Sequence, residues 1–300
     1  MKAYIGVDLG GTNVRVAKVD ENGTILQMVK EATEIEQGVE HVVAKIISMI
    51  ERIDRYADCE GIGMGVPGPV DTVQGKMVLA TNLPGFEGYP IAQKIGDHFH
   101  LPTFVDNDVN VAGMGEAILG AGKDEEIVYY VTISTGIGGA LVVDKKVVAG
   151  KNGHAGEIAN IIIDRNREKV NYLNIGAVEN EASGTALTRK GRRLFGEDMI
   201  AHAGDVFALA RQGNSEALVL CDEMAYDIAV MFSIIAHVVD PAVFVIGGGV
   251  MKGKDVFFEK MERDFRSMIH KGMQTVKFKE AQLEEPGIIG AAMLPKAYLK

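Results

Sequence analysis

Two glycine-rich stretches have the residue types that bind phosphate. DLGGTN (residues 8–13) and ISTGIGGA (133–140) each place glycines and a threonine directly after an apolar run. Without Cβ atoms, backbone N–H groups can approach an anion closely, and Thr and Asn side chains add donors. A plain tight hairpin is the alternative for one copy, but the repetition favours phosphate binding. The predicted phosphate-binding residues are Gly10, Gly11, Thr12, Asn13, Thr135, Gly136, Gly138 and Gly139.

A carboxylate and a third glycine cluster extend this prediction to a nucleotide. Asp8 lies directly before the first turn, where it would repel phosphate unless Mg²⁺ lay between them, usually with water in the bridge. Gly247, Gly248 and Gly249 end an apolar run just before a helical pattern. Strand ends of this kind commonly border a nucleotide in α/β proteins. We therefore expect the three glycine clusters to surround a magnesium-bound polyphosphate.

The stretch VDNDVN (residues 105–110) carries the candidate acid-base chemistry. Asp106, Asn107 and Asp108 follow an apolar strand pattern, a costly place for polar groups unless they serve a site or cap a helix. Helix capping is the simpler explanation, because Asp and Asn suit that role. Both can hold at once, with one residue capping while another meets a ligand. Asp108 is the better candidate for a general base, and Asn107 for a hydrogen bond to a substrate hydroxyl.

One apparent motif is misleading. GMGVPG (residues 63–68) has the G-x-G-x-x-G spacing of a dinucleotide-binding turn. Pro67, Pro69 and the residues after them offer no helix N-terminus for a pyrophosphate. We interpret this stretch as a turn from a strand into a loop.

The elements that position these residues form a repeated pattern. Residues 1–35 predict three strands, with Asn22-Gly23 as a hairpin turn between the last two. A helix over 38–56 follows, and the strand–turn–strand–turn–strand pattern returns at residue 126. Such a repeat predicts two related α/β domains that face each other across a cleft. We also expect strands over 60–68, 101–110, 242–250 and 276–279, and helices near 90–99, within 185–239, over 255–271 and from Gly287.

Composition excludes several classes of protein. The 300-residue chain has a formal net charge of −10, which argues against nucleic-acid binding as its main role. TRKGRR (residues 188–193) is its one basic cluster and is expected to form a solvated helix face. Cys59 and Cys221 are far apart in apolar sequence and are expected to be buried thiols. With no long apolar run and no leader pattern, we expect neither membrane insertion nor secretion, and therefore a cytoplasmic protein.

The motifs together resemble a known family. DLGGTNVR, GVPGPVD, NLPGF, DNDVN, STGIGGALVVD, GHAGEI, ASGTAL and DPAVFVIGGGV occur in the order and spacing of the ROK family of bacterial sugar kinases. That family has the fold shared by sugar kinases, heat-shock chaperones and actin. The resemblance implies two duplicated actin-like (ribonuclease H-like) α/β domains flanking a central cleft. Residues 1–118 with 287–300 would form the first domain, and 119–286 the second.

The resemblance also implies an activity and residue roles. It implies phosphoryl transfer from ATP, with Mg²⁺, to a hexose hydroxyl, normally O6, and a homodimer or larger assembly. By position, Asp108 matches the catalytic base. The implied substrate contacts are Gly68, Asn82, Asn107, Asp108, Glu157, Asn160 and Glu179. Glucose is the first choice of sugar, with a β-glucoside, fructose, mannose or an N-acetylhexosamine as alternatives.

One segment departs from the family pattern. Most members bind a structural zinc ion through one His and three Cys after GHAGE, and those positions are Asn160, Val170, Tyr172 and Ala177 here. A zinc site needs about four N or S ligands, so we predict that this chain binds no zinc. His154 remains, and we expect it to make a cap or loop hydrogen bond.

The sequence disfavours three other functions. Sugar-responsive repressors of the same family carry a helix-turn-helix segment, for which a first strand beginning near Lys2 leaves no room. A silent sugar sensor is disfavoured by the retention of Asp108 and both phosphate turns. An actin-like or chaperone ATPase would have no use for the sugar-facing residues Glu157 and Glu179.

Overall fold

The computed structural model describes residues 2–80 and 82–299 and shows an α/β protein. The strands are β1 (Ala3–Leu9), β2 (Asn13–Asp20), β3 (Ile25–Ala32), β4 (Ile62–Val66), β5 (Val70–Asp71), β6 (Lys76–Met77), β7 (Thr103–Asn107), β8 (Ile127–Ile133), β9 (Ile137–Val143), β10 (Lys146–Val147), β11 (Val243–Gly247) and β12 (Lys277–Glu280). The α-helices are α1 (Val39–Glu51), α2 (Ile91–Phe99), α3 (Asp108–Ile118), α4 (Val178–Ala182), α5 (Gly184–Phe195), α6 (Ala203–Arg211), α7 (Ser215–Val239), α8 (Lys254–Met268) and α9 (Pro286–Tyr298). The expected strands and helices are present, but two bounds were wrong: α3 begins at Asp108, inside the stretch 101–110 expected to be a strand, and α1 ends at Glu51, before the expected residue 56.

The two large sheets repeat one topology. The first has the strand order β3-β2-β1-β4-β7 and the second β10-β9-β8-β11-β12, and each has five strands. Counted along the chain within each sheet, both orders read third, second, first, fourth, fifth. Antiparallel pairing of β1 with β2 and of β2 with β3 gives way to parallel pairing of β1 with β4 and of β4 with β7. The predicted duplicated α/β fold is confirmed.

Contacts between Cα atoms group the chain into two units. The first contains Met1–Tyr130, Ala140–Gly156 and Ala281–Lys300, and the second contains Val131–Gly139 and Glu157–Glu280. The domain limits expected from the sequence remain a prediction.

The first unit is built around the central strands of its sheet. β1 is buried along almost its whole length, whereas β3 alternates between half-buried and exposed residues, as an edge strand does. The apolar stripe of α1, which includes Val42, Ile46 and Ile50, joins β1 in one hydrophobic core. α9 packs against β1, β4 and α3. The strand ends that carry Asp8 and Asn107 therefore belong to a rigid framework.

The second unit has an aromatic core beside β11. The ring of Phe244 lies 4.7 Å from that of Phe232 on α7 and 5.3 Å from that of Phe278 on β12. All five residues of β11 are buried, and α7 packs against α8. This packing fixes the end of β11, where the glycine cluster begins.

Two further expectations concern thiols and membranes. Cys59 and Cys221 are buried and form no disulfide, as the sequence predicts. Burial raises the pKa of the Cys221 thiol to about 11. Within residues 2–80 and 82–299, no helix combines the length and the apolar character needed to cross a membrane.

Candidate active site

The first glycine turn connects β1 to β2 and opens to solvent. The Gly10 N–H donates to the Asn13 carbonyl at 2.9 Å, and the Thr33 hydroxyl donates to the Gly10 carbonyl at 2.6 Å. Thr12 and Asn13 are exposed at the tip. The turn and its neighbours line a cavity of about 320 Å³. A small anionic group can therefore reach this backbone.

Asp8 sits beside this cavity in an ion-pair chain that the sequence did not reveal. Arg15 donates from Nε to Oδ2 of Asp8 at 3.0 Å and from Nη2 to the same oxygen. Its Nη1 pairs with Glu285, which precedes α9. Arg15 and Lys30 also line the cavity, so two cations lie next to the turn.

The Asp8 turn suits a water-mediated magnesium ion. Mg²⁺ is usually held by one or two carboxylates together with phosphate oxygens and waters, rather than by a cage of protein ligands. Asp8 supplies one carboxylate, and the phosphate-binding turn follows it directly. Among the described residues, no group of three or more His, Cys, Asp or Glu side chains could hold a metal ion.

The VDNDVN stretch forms the end of β7 and the start of α3. Asn107 is the helix cap, because its Oδ1 accepts from the N–H groups of Val109 at 2.9 Å and Asn110 at 3.2 Å. Its Nδ2 donates to the Gly68 carbonyl at 3.1 Å. Asp108 begins α3, is half-buried, and its Oδ1 accepts from the Val109 N–H at 2.9 Å. The expected cap is therefore Asn107, and Asp108 lies next to it on the first turn.

Asp106 has a structural role instead. It is 3% exposed, and its Oδ1 accepts from the Asn107 N–H at 2.7 Å and from Nδ2 of Asn110 at 2.8 Å. Burial raises its pKa, against the effect of these two hydrogen bonds. Asp106 thus fixes the junction of β7 and α3.

Strand register places the first glycine turn and the Asn107–Asp108 junction at the same end of the sheet, where the parallel strands β1, β4 and β7 finish. Asp8 is paired with Gly65 of β4, and Gly65 with Asp106 of β7. Because the carboxyl ends of parallel strands share an edge, the glycine turn and the Asn107–Asp108 junction are neighbours. Asn82 also lies there, since a Cβ on Gly11 would be 2.9 Å from the Asn82 carbonyl oxygen. The candidate residues of the first unit are therefore brought together.

The second glycine turn connects β8 to β9 and is closed by a remote carboxylate. The Ser134 N–H donates to the Gly136 carbonyl at 2.8 Å. Oε2 of Glu179, on α4, accepts from the Ile137 N–H at 2.9 Å. A Cβ on Gly136 would lie 2.4 Å from that same oxygen, so only glycine leaves Glu179 where it is. A predicted sugar contact therefore also holds a predicted phosphate turn.

A cavity of about 930 Å³ in the second unit includes only part of the expected nucleotide site. Thr135 and Gly249 line it, whereas Gly138 and Gly139 lie within β9 and Gly247 ends β11. Gly248 is an exposed residue between Gly247 and the wall. The arginine and lysine residues that line this cavity are Arg189, Arg192, Arg193, Arg211 and Lys252.

The basic stretch on α5 therefore does more than form a solvated face. Arg192 and Arg193 are exposed, as expected, but both line the cavity together with Arg189. Arg192 donates from Nε to the Ile200 carbonyl at 2.8 Å, which holds its side chain along the wall. The exposure of Arg192 and Arg193 agrees with the expected solvated face, whereas the place of this face on a cavity wall was not predicted.

The segment around the missing zinc ligands has its own hydrogen bonds. Oδ1 of Asn160 accepts from the Asn174 N–H at 2.7 Å, and Nδ2 of Asn174 donates to the Asn160 carbonyl at 3.3 Å. Val170, Tyr172 and Ala177, at the family's cysteine positions, carry no side-chain zinc ligand of the usual kind. The residues present do not fit a zinc ion.

The remaining candidates flank that segment. Glu157 is exposed directly before the 3₁₀ turn Ile158–Asn160. His154 is exposed, and its Nδ1 lies 2.7 Å from the Asn152 carbonyl oxygen. The loop hydrogen bond expected of His154 is confirmed.

Comparisons with known proteins identify the family of this chain. The ROK family profile matches residues 4–298. The chain is 29% identical to the glucokinase of Thermotoga maritima, over 97% of this chain and 96% of that protein. It resembles the crystal structure of a ROK hexokinase from Thermus thermophilus, with a TM-score of 0.86, 31% identity and 97% of each chain covered. It also resembles a ROK family glucokinase from Streptomyces griseus in complex with glucose and AMPPNP, with a TM-score of 0.78, 29% identity, and 98% of this chain and 99% of that chain covered. The chain belongs to the ROK family and is an ATP-dependent sugar kinase.

Proposed function

We propose that this kinase transfers the γ-phosphoryl group of ATP to O6 of glucose or a closely related hexose, with Asp108 as the general base. The observation that carries the proposal is the shared sheet edge of Asp108, Asn107 and the glycine turn after β1. A proton acceptor and a phosphate-binding turn must be neighbours for in-line transfer to a hydroxyl. The relatives named glucokinase, one of them with bound glucose, favour this sugar.

Several polar groups would hold the sugar. The first unit offers Asn107, Asp108 and, on nearby loops, Gly68 and Asn82. The second unit offers Glu157, Asn160 and Glu179. A carboxylate accepts hydrogen bonds from vicinal hydroxyls and makes them stronger than neutral acceptors do. Multiple fixed acceptors would orient the hydroxyl so that it meets Asp108.

The proton and the charge would be handled by separate groups. Asp108 would accept the hydroxyl proton as the sugar oxygen attacks phosphorus. Backbone N–H groups of both glycine turns, with the cations that line the two cavities, would balance the phosphate charge. Mg²⁺, held by Asp8 through water, would neutralise part of the phosphate charge when bound.

The decisive experiment replaces the base. Asp108→Ala should lower the turnover number by about 10²–10⁴-fold, the usual contribution of a general base, while ATP binding stays close to wild type. ADP release with a panel of glucose, fructose, mannose, N-acetylhexosamines and β-glucosides gives the turnover and names the sugar. Asp97→Ala, an exposed position on α2, is the matched control. Turnover of Asp108→Ala equal to wild type would exclude the assignment.

We also infer a cytoplasmic homodimer. Buried, unpaired Cys59 and Cys221 support a reducing compartment. Light scattering on the purified protein measures the assembly, and a monomer at micromolar concentration would contradict it.

A further inference from the structure

One arginine, Arg167, links loop 161–177 by ion pairs to buried carboxylates elsewhere in the second unit. Arg167 reaches three carboxylates: Nε is 3.0 Å from Oδ2 of Asp164, Nη1 is 3.6 Å from Oε2 of Glu181, and Nη2 is 3.1 Å from Oδ1 of Asp227. These partners lie in the loop itself, on α4 and on α7. Lys190 of α5 adds a contact of 3.0 Å from Nζ to Oε2 of Glu181. The cluster therefore joins the loop to three helices.

The cluster is buried enough to matter. The side chains of Glu181 and Asp227 are 6% and 3% exposed, and that of Arg167 is 30% exposed. A buried carboxylate that loses its cation is strongly destabilised, whereas exposed ion pairs contribute little. Removal of Arg167 would leave Lys190 as the nearest remaining cation, at 3.0 Å from Glu181 and 4.0 Å from Asp227. Glu181 would keep Lys190, so the ion-pair link from the loop to Asp227 is what depends on Arg167.

α4 transmits this attachment to the active site. It is only five residues long, too short to hold its own geometry without tertiary contacts. Glu179 and Glu181 stand two positions apart on it and so point to roughly opposite sides. Glu181 meets Arg167, and Glu179 accepts from the Ile137 N–H of the second glycine turn. A shift of α4 would therefore move Glu179 away from that turn.

Loop 161–177 also borders α4 directly. Within the loop, the Ile163 N–H donates to the Gly176 carbonyl at 2.9 Å. Between the loop and α4, the Val178 N–H donates to the Ile161 carbonyl, also at 2.9 Å. Gly176 has φ +68, and a Cβ there would lie 1.7 Å from the Asp164 carbonyl oxygen. The two ends of the loop thus lie close together beside α4, at Asp164, whose carboxylate pairs with Arg167.

We propose that Arg167 is a positioning residue of the active site, which holds loop 161–177 on Glu181 and Asp227 and thereby fixes Glu179 against the second glycine turn. The functional consequence rests on the proposed role of Glu179 as a sugar contact.

The first test does not depend on activity. Amide hydrogen exchange by NMR reports whether the Ile137 N–H keeps its bond to Glu179. Arg167→Met should speed exchange at Ile137 by about 10-fold or more, because the acceptor is displaced. Arg263→Met is the matched control, since Arg263 is 67% exposed and its contact with Asp264 is 3.9 Å. Arg167→Lys keeps the positive charge but lacks the planar guanidinium, so it should increase the exchange rate at Ile137 by less than Arg167→Met does. It replaces Arg167→Met in this test if that variant does not fold.

The second test is a double-mutant cycle with Glu179→Gln. If Arg167 acts through Glu179, Arg167→Met should lower kcat/KM for the sugar by about 10-fold in the wild-type background and by less than about 2-fold in Glu179→Gln. Unchanged exchange at Ile137, or an equal loss in both backgrounds, would overturn the proposal. Absence of sugar-dependent ADP release in the wild type would instead count against the proposed function, and exchange at Ile137 would still decide the role of Arg167.

Discussion

The two glycine turns occupy equivalent places in the two sheets but are held by different groups. Gly10 follows β1 and is held by the hydroxyl of Thr33, the residue after β3. The turn after β8 is held by the carboxylate of Glu179, which comes from α4. The two turns therefore share a place in the strand order, while the support of each turn comes from its own surroundings.

The carboxylates near the turns differ in the same way. Asp8 is the residue next to last in β1, and its partner Arg15 is on the adjacent strand β2. Glu179 depends on α4, which is itself held through the ion pairs of Glu181 with Lys190 and Arg167. The first turn thus has local support, and the second has support assembled from several distant segments.

Removal of the Asp8 carboxylate should have the largest effect on kcat among the variants compared below. Asp8→Asn keeps the side-chain shape but loses the charge that would hold Mg²⁺, so we expect kcat to fall by about 10²–10³-fold. The Mg²⁺ concentration for half-maximal rate should rise by about 10-fold or more. Sugar-dependent ADP release over a magnesium titration measures both. Asp58→Asn, at an exposed position, is the control, and an unchanged magnesium titration in Asp8→Asn would disprove the role of Asp8.

Replacing one glycine of each turn by alanine should have different consequences in the two turns, because the new methyl group meets a side chain in one and the backbone in the other. In Gly136→Ala the new Cβ meets the mobile end of Glu179, so we expect little loss of stability but a fall in kcat/KM for the sugar of about 10-fold. In Gly11→Ala it meets the Asn82 backbone oxygen, so the loop must shift and the melting temperature should fall more. Thermal unfolding and steady-state kinetics on both variants give the comparison. The reverse ranking of melting temperatures would show that the supports are not as described.

The sequence was informative wherever the interacting groups lie close together in the chain. The turn residues, the Asn107 cap and the strand–turn–strand repeats were all predictable, because backbone conformation and capping are local. Cys59 and Cys221 were also correctly expected to be buried, since apolar surroundings accompany both.

Contacts between distant segments could not be predicted in the same way. Arg15 meets Glu285, 270 positions away, and Arg167 meets Asp227, 60 positions away. Only the folded chain brings these charges together, and one sequence gives no information on which pairs meet. The arginines of α5 were underestimated for the same reason, because the wall of the cavity that they line comes from several helices.

The support of the second turn should also respond to pH. Burial raises the pKa of Asp227 from 3.8 to about 6, despite the nearby charges of Arg167 and Lys190. The other charged neighbours are Glu181 of α4 and Glu223 of its own helix. A raised carboxyl pKa stabilises the folded state below the unfolded value, and this contribution is lost as the pH rises through about 6.

The matching variant is Asp227→Asn, which cannot titrate. From pH 5 to pH 7.5 the wild type should lose roughly 1.4 kcal/mol of unfolding free energy relative to the variant. Urea unfolding at several pH values measures the difference, with Asp97→Asn as an exposed control. Parallel stability curves for wild type and Asp227→Asn would mean that Asp227 does not titrate in this range.

The smallest effect is expected at the local support of the first turn. Thr33 is buried, and Thr33→Val keeps its shape while removing the hydroxyl that donates to the Gly10 carbonyl. Loss of one such hydrogen bond should lower the free energy of unfolding by about 1 kcal/mol. Gly10 stays tied through its own N–H to Asn13, so kcat should fall by no more than about 3-fold. Urea unfolding and ADP release check both values, with the exposed Thr24→Val as control. A kinetic loss as large as that of Gly136→Ala would mean that the first turn is no better supported locally than the second.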